Sequence, residues 1–348
     1  MSFHRTTLLS CALATALSAA PAFAQTEQLT VVGAGGALQE AEQKAFFRPF
    51  AERSKVRLTE DSYSGQMAKV RAMVETGSVT WDVLQVEQNS LRAGCEEGLF
   101  ETLDWTAIGD PKDFLPEAYS PCGVGAFVWS MVMTFDPARI ANGPRNWADF
   151  WNVARWPGKR GLRQTAKMTL EIALLADGVP QDMVYEVLAT PAGVERAFAM
   201  LDRLKPHILW WTSGAEPIER LAAGDVALSA AFNGRVAAAN QAGRAFALNW
   251  DGQILGVDYW AIPKGSRNRR TAERFIAFAS RPEVQATFPD HIAYGVTNRK
   301  ANLAIDPKIA AGLPTTPENL DRALALDTAF WADNGEALEA RFATWRSR

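Results

Sequence analysis

Histidine, cysteine and tyrosine are scarce: three, three and five in 348 residues. Apart from His4, only His207 and His291 occur, too few for a cluster of transition-metal ligands. The chain has no H-E-x-x-H helix, no G-x-S-x-G elbow and no phosphate loop, and its turn Gly33-Ala34-Gly35-Gly36 is a poor match to a nucleotide fingerprint. No metal and no cofactor are therefore expected. Beyond the first two dozen residues, nothing approaches the roughly eighteen apolar residues of a membrane-spanning helix. An excess of one charge is lacking as well. Thirty-six basic residues face 39 acidic ones, a net charge of −3, which argues against a nucleic-acid partner.

What is present at the N-terminus is an export pattern. His4 and Arg5 precede the apolar run Leu8 to Ala20, then come Pro21 and the small-residue cleavage site Ala22-Phe23-Ala24. Residues 1–24 read as a signal peptide, and the mature chain begins at Gln25. Losing Arg5 leaves 35 basic against 39 acidic residues, a net charge of −4. Cys95 and Cys122 survive cleavage, and an oxidising compartment predicts a disulfide between them.

The mature length exceeds a single core, so two lobes are expected. Short apolar runs alternate with amphipathic helices, the pattern of an α/β protein. Strands are predicted at Leu29–Val32, Val56–Glu60 and Asp82–Val86, each followed by a small or polar corner. Ser64, Gln66, Gln85 and Gln88 put neutral donors and acceptors at those corners, where they cap helices or touch a ligand. The apolar run Val124 to Phe135 is long enough to cross from one lobe to the other, and Tyr259 to Pro263 reads as the return. Two crossings make a hinge. Lobe 1 is assigned to 25–133 and 261–300, lobe 2 to 134–260 and 301–348.

Two charges stand out in apolar surroundings. Arg235 follows the strand Val226 to Phe232, and Asp258 interrupts the run Ile254 to Ile262. A buried, unpaired carboxylate is costly, so a cation is expected opposite Asp258. That cation is Arg235 itself, in a plain salt bridge between strands, or it belongs to a ligand. Alternation along a strand sends only one of Trp210 and Trp211, and one of Tyr259 and Trp260, toward the cleft.

The segments WDVLQVEQNSLRAGCEEGLFETLD, VWSMVMTFDPARI, NWADFWNVARWPGKRGL, ERLAAGDVALSAAFNGR, VDYWAIPKGSRNRRTAERFIAFASRPEVQATF and AYGVTNRKA follow one another in an order that resembles the periplasmic solute-binding proteins for polyamines and related amines. The resemblance runs the length of the mature chain. It implies a type II periplasmic binding fold, two α/β lobes that close on a ligand, and a monomer in the periplasm that serves the inner-membrane permease of an ABC importer. Asp258 matches the family's ammonium-binding aspartate. Thr165 and Met168 stand where polyamine binders carry a second acidic pair, and Phe232 replaces a tryptophan. Arg235, where polyamine binders have a small neutral residue, is similar to the arginine of the γ-aminobutyrate-binding subgroup. The expected ligand is an ω-amino acid, with a guanidinium for its carboxylate and a carboxylate for its ammonium. The ligand-binding set is Arg235, Asp258, Trp211, Phe232, Tyr259, Gln85, Ser64, Gln66 and Thr165. A spermidine/putrescine receptor and a secreted two-lobed enzyme are the alternatives.

Overall fold

A computed structural model of the protein describes residues 27–63 and 67–348. The expected signal peptide, and Ser64 and Gln66 of the expected site, lie outside the described residues.

Ten strands form one continuous sheet. In chain order they are β1 (Gln28–Gly33), β2 (Arg57–Ser62), β3 (Val83–Glu87), β4 (Tyr119–Ser120), β5 (Gly123–Phe135), β6 (Arg160–Arg163), β7 (Ile208–Trp211), β8 (Leu228–Phe232), β9 (Ala247–Ala261) and β10 (Ala323–Ala325). Their order across the sheet is β2-β1-β3-β9-β5-β8-β6-β7, with β10 beside β9 and β4 beside β5. The short strands β1, β2 and β3 pair in parallel, as do β6, β7 and β8, which is the signature of helices crossing back over each face. The long strands β5 and β9 pair antiparallel with each other and join the two halves.

Each half has its own core. One packs Phe46, Phe47, Phe127, Trp260, Phe275 and Phe288; the other packs Trp147, Phe150, Leu170, Phe198, Trp211 and Phe342. Along β5 the core changes between Val128 and Met131, and along β9 between Ile254 and Leu255. The second crossing thus begins earlier than the expected Tyr259 to Pro263, because β9 stays paired with β5 from Ala247 to Trp260 and must change over beside it. The expected lobe limits, 133/134 and 260/261, lie a few residues along each strand from these points.

At the changeover, side-chain amides replace apolar packing. Ser130 N–H donates to Asn233 Oδ1 (2.9 Å) and Ser130 Oγ to Gln253 Oε1 (2.7 Å). Asn233 Nδ2 in turn donates to Ala293 O (2.6 Å), and Gln253 Nε2 to Pro314 O (3.1 Å) and Asn319 O (2.8 Å). All three side chains are fully buried, so their hydrogen bonds are needed to offset the loss of water. The β5–β9 register also shifts here, between Met131 and Met133.

The expected disulfide is present: Cys95 in the helix Gln88–Glu96 is joined to Cys122 at the foot of β5, across 27 residues of chain. Both ends belong to the first half. The C-terminal helix Thr328–Ser347 begins with Asp327 accepting from Phe330 N–H and buries Phe330, Trp331, Leu338 and Phe342 in the second core.

Candidate functional site

Asp258 lies on β9 just after the crossing, only 8% exposed. Strand register sets it opposite Glu87 of β3 and Phe127 of β5. Gln85 Nε2 donates to its Oδ2 at 2.7 Å, and Trp129 Nε1 donates to its Oδ1 at 2.9 Å. Burial, and then the nearby charge of Glu87, push its pKa up from 3.8 to about 7, against the opposing pull of those two hydrogen bonds. Neutral donors hold the carboxyl, and no Lys or Arg among the described residues forms an ion pair with it. A buried carboxyl in that condition gains strongly from a cation brought to it.

Trp129 reaches Asp258 because Gly256 faces it across the β5–β9 ladder. A β-carbon at Gly256 would lie 2.0 Å from Trp129 Cζ2, so the indole lies over bare backbone. Gln85 is steadied from behind, where Tyr63 donates its hydroxyl to the Gln85 carbonyl at 2.6 Å. The Gln85 side-chain oxygen is buried and lacks a protein partner among the described residues.

Phe232 ends β8, half-buried, with Trp129 edge-on at 5.5 Å and Trp211 edge-on at 6.0 Å. Arg235 follows in the first turn of the helix Asn233–Gln241. It is exposed and makes no ion pair among the described residues, so it does not neutralise Asp258. A β-carbon at Gly214 would lie 3.7 Å from Arg235 Nε and 3.4 Å from Phe232 Cδ2, so both side chains border the Gly214 backbone. Tyr294 bridges the two ends of the site. Its phenol is pushed up to about 12, first by burial, while Arg235 pulls it down and Asp258 pushes it up. The ring stacks on Phe127 at 5.4 Å and lies so close to Gly234 that a β-carbon there would come within 2.5 Å of Cε1.

The sequence-derived set thus divides. Asp258, Gln85, Phe232 and Arg235 gather around the crossing. Trp211 does not join them as a free face: it is completely buried in the second core, offering only its edge to Phe232. Its neighbour Trp210 turns the other way, against Phe342 and Trp345. Tyr259 points away from Asp258, as strand alternation requires, and its hydroxyl donates to the Glu117 carbonyl. Trp260 packs between Phe47 and Phe275. Thr165 closes its own loop, donating to Lys167 O at 2.9 Å, and Met168 is a core residue. Glu339 of the C-terminal helix serves that loop instead, accepting from the backbone N–H groups of Ala166 (2.9 Å) and Lys167 (3.1 Å). Trp129, Tyr294, Tyr63 and Arg163 belong near the site and were not singled out. The signal for Trp129 is that it is the one indole donor inside an otherwise apolar crossing strand.

A family profile of bacterial extracellular solute-binding proteins matches residues 45–315. A γ-aminobutyric acid-binding protein of Pseudomonas aeruginosa is 52% identical over 331 residues, covering 95% of this chain and 94% of that protein. The spermidine/putrescine-binding periplasmic protein of Escherichia coli is 28% identical over 177 residues, 50% of this chain and 48% of that one. A solved GABA receptor structure superimposes with a TM-score of 0.81 at 31% identity, covering 92% of this chain and 98% of that one.

Proposed function

The chain belongs to the bacterial extracellular solute-binding proteins, and we propose that within that family it is the receptor of an ABC importer for an ω-amino acid such as γ-aminobutyrate. One observation carries the reading: Asp258 is a buried carboxyl held by the neutral donors of Gln85 and Trp129, with no ion pair to a cation among the described residues. A ligand ammonium supplies the missing charge. Arg235, three residues past the end of β8 and outside any ion pair among the described residues, then takes the ligand carboxylate as a bidentate fork. Trp129, Phe232 and Tyr294 cover the short aliphatic span between the charges. The similarity to a γ-aminobutyric acid-binding protein along nearly the whole chain supports this choice of ligand.

In this reading the receptor works in the periplasm after removal of residues 1–24, as a monomer, without cofactor and without turnover. The lobes are 25–133 with 261–300 and 134–260 with 301–348, and they close on the ligand before meeting the permease. The test is titration calorimetry of mature protein with γ-aminobutyrate, putrescine and spermidine. Micromolar binding of γ-aminobutyrate, about 8 kcal/mol, supports the proposal. Binding of a polyamine and of no amino acid overturns it.

A further inference from the structure

Asp258 and Arg235 leave a second cationic group at the site without a task. Arg163 closes β6, and its guanidinium lies 5.6 Å over the ring of Phe232, three residues before Arg235 in the chain. Burial holds its pKa below the usual arginine value, with Glu87 and Glu339 opposing the shift. It donates no hydrogen bond and makes no ion pair among the described residues. Arg160, three residues earlier on the same strand, is the contrast: it spends its donors on the carbonyls of Phe150, Trp156, Gly158 and Asn152. Arg160 is thus bonded at all three of its guanidinium nitrogens, whereas Arg163 is partly desolvated with no side-chain hydrogen bond among the described residues. That combination is unfavourable until an anion arrives.

The protein's own acids do not fill this role. Glu339 is engaged by two backbone N–H groups of the neighbouring loop, and Glu87 forms no ion pair with Arg163. Lys167, also pushed down by burial, adds a second positive charge on the same side.

We propose that Arg163 is a specificity-determining ligand residue, a second arm that takes the ligand carboxylate with Arg235 and excludes diamines and polyamines by like-charge repulsion at their far end. The proposal rests on the reading of the ligand as an ω-amino acid. A guanidinium over Phe232, with Lys167 on the same side and Arg235 three residues beyond that ring in the chain, suits an anion and opposes the ammonium that a polyamine would bring to the same place.

Calorimetry with γ-aminobutyrate and putrescine on wild type, R163Q, R163K, R235A, E87Q and the double variant R163Q/E87Q tests it, with near-ultraviolet circular dichroism to establish that each variant is folded. R163Q is expected to weaken γ-aminobutyrate binding roughly 10- to 100-fold and to narrow the gap between the two ligands. R163K, which keeps the charge and loses the fork, is expected to fall between while still excluding putrescine. Unchanged affinity and selectivity in R163Q and R163K, alongside loss of binding in R235A, overturn the role of Arg163 and leave the functional reading standing. Equal, non-additive losses in R163Q and E87Q also overturn it, because they assign Arg163 to a lock between the lobes. Failure of wild type to bind any ω-amino acid overturns the functional reading itself.

Discussion

Trp129 and Gly256 face each other across the two crossing strands so closely that a β-carbon at residue 256 would lie 2.0 Å from Trp129 Cζ2. The indole that donates to Asp258 owes its position to that missing side chain. Gly256→Ala is expected to push the indole away, remove one donor from Asp258 and weaken ligand binding about tenfold. Tryptophan fluorescence and calorimetry on the same sample check both effects.

Asp258→Ala removes the ammonium partner and is expected to cost about 2 to 5 kcal/mol of binding free energy. Asp258→Asn keeps the shape and the Gln85 and Trp129 neighbours while abolishing the charge. It should lose comparable affinity yet unfold at a temperature no lower than wild type at pH 8. An Asn variant that binds normally would remove Asp258 from the ligand set.

Arg235→Ala should separate ligands by their anionic end. Affinity for γ-aminobutyrate is expected to fall about tenfold or more, while that for the neutral 4-aminobutanamide stays nearly unchanged. Equal losses for the two ligands would mean that the arginine acts on the fold and not on the carboxylate.

Stability and affinity should move in opposite directions with pH. Burial raises Asp258 from 3.8 to about 7 and Glu171 from 4.5 to about 7, and it raises Glu42, whose two oxygens lack partners among the described residues, well above 4.5. The folded, unliganded protein therefore binds more protons than the unfolded chain between about pH 4 and 7. The stability this provides is complete below the ordinary carboxylate range and is lost as pH rises through about 7. The ammonium needs Asp258 ionised, so affinity should climb toward pH 7 and then level off. Denaturant melts of unliganded protein at pH 5 and 8, and titrations in buffers of different ionisation enthalpy, read the two slopes and the proton released on binding.

Cys95→Ser with Cys122→Ser opens a cross-link of 27 residues, expected to cost about 3 kcal/mol of stability. Affinity should not change, since the bond lies wholly within the first core and touches no residue of the site.

The alternation of apolar runs with helices made the α/β class legible, and Val124 to Phe135, long enough to cross from one lobe to the other, made the first crossing so. Asp258 was legible for the complementary reason: a lone acid in such a run has to be explained. Alternation could not decide which aromatics line the site. It puts Tyr259 on the face opposite Asp258 and Trp260 on the same face, but is silent on whether either meets core or cleft, and both turned out to be held in the first core or against Glu117. Glu42 was invisible, since an acid on an amphipathic helix is ordinarily read as a solvated face. Trp129 needed the partner strand, for only the register with Gly256 reveals where its indole can go.

The two crossing strands are hydrogen-bonded to each other on both sides of the changeover, from Val124 with Trp260 to Phe135 with Ala247. Neither can bend alone. A bend in one has to be taken up by the other, so the two halves are joined by one paired ribbon in place of two independent strands. Under the proposed function, ligand chemistry at Asp258 and Arg235 would reach the permease only through this one paired joint, whatever the details of the solute.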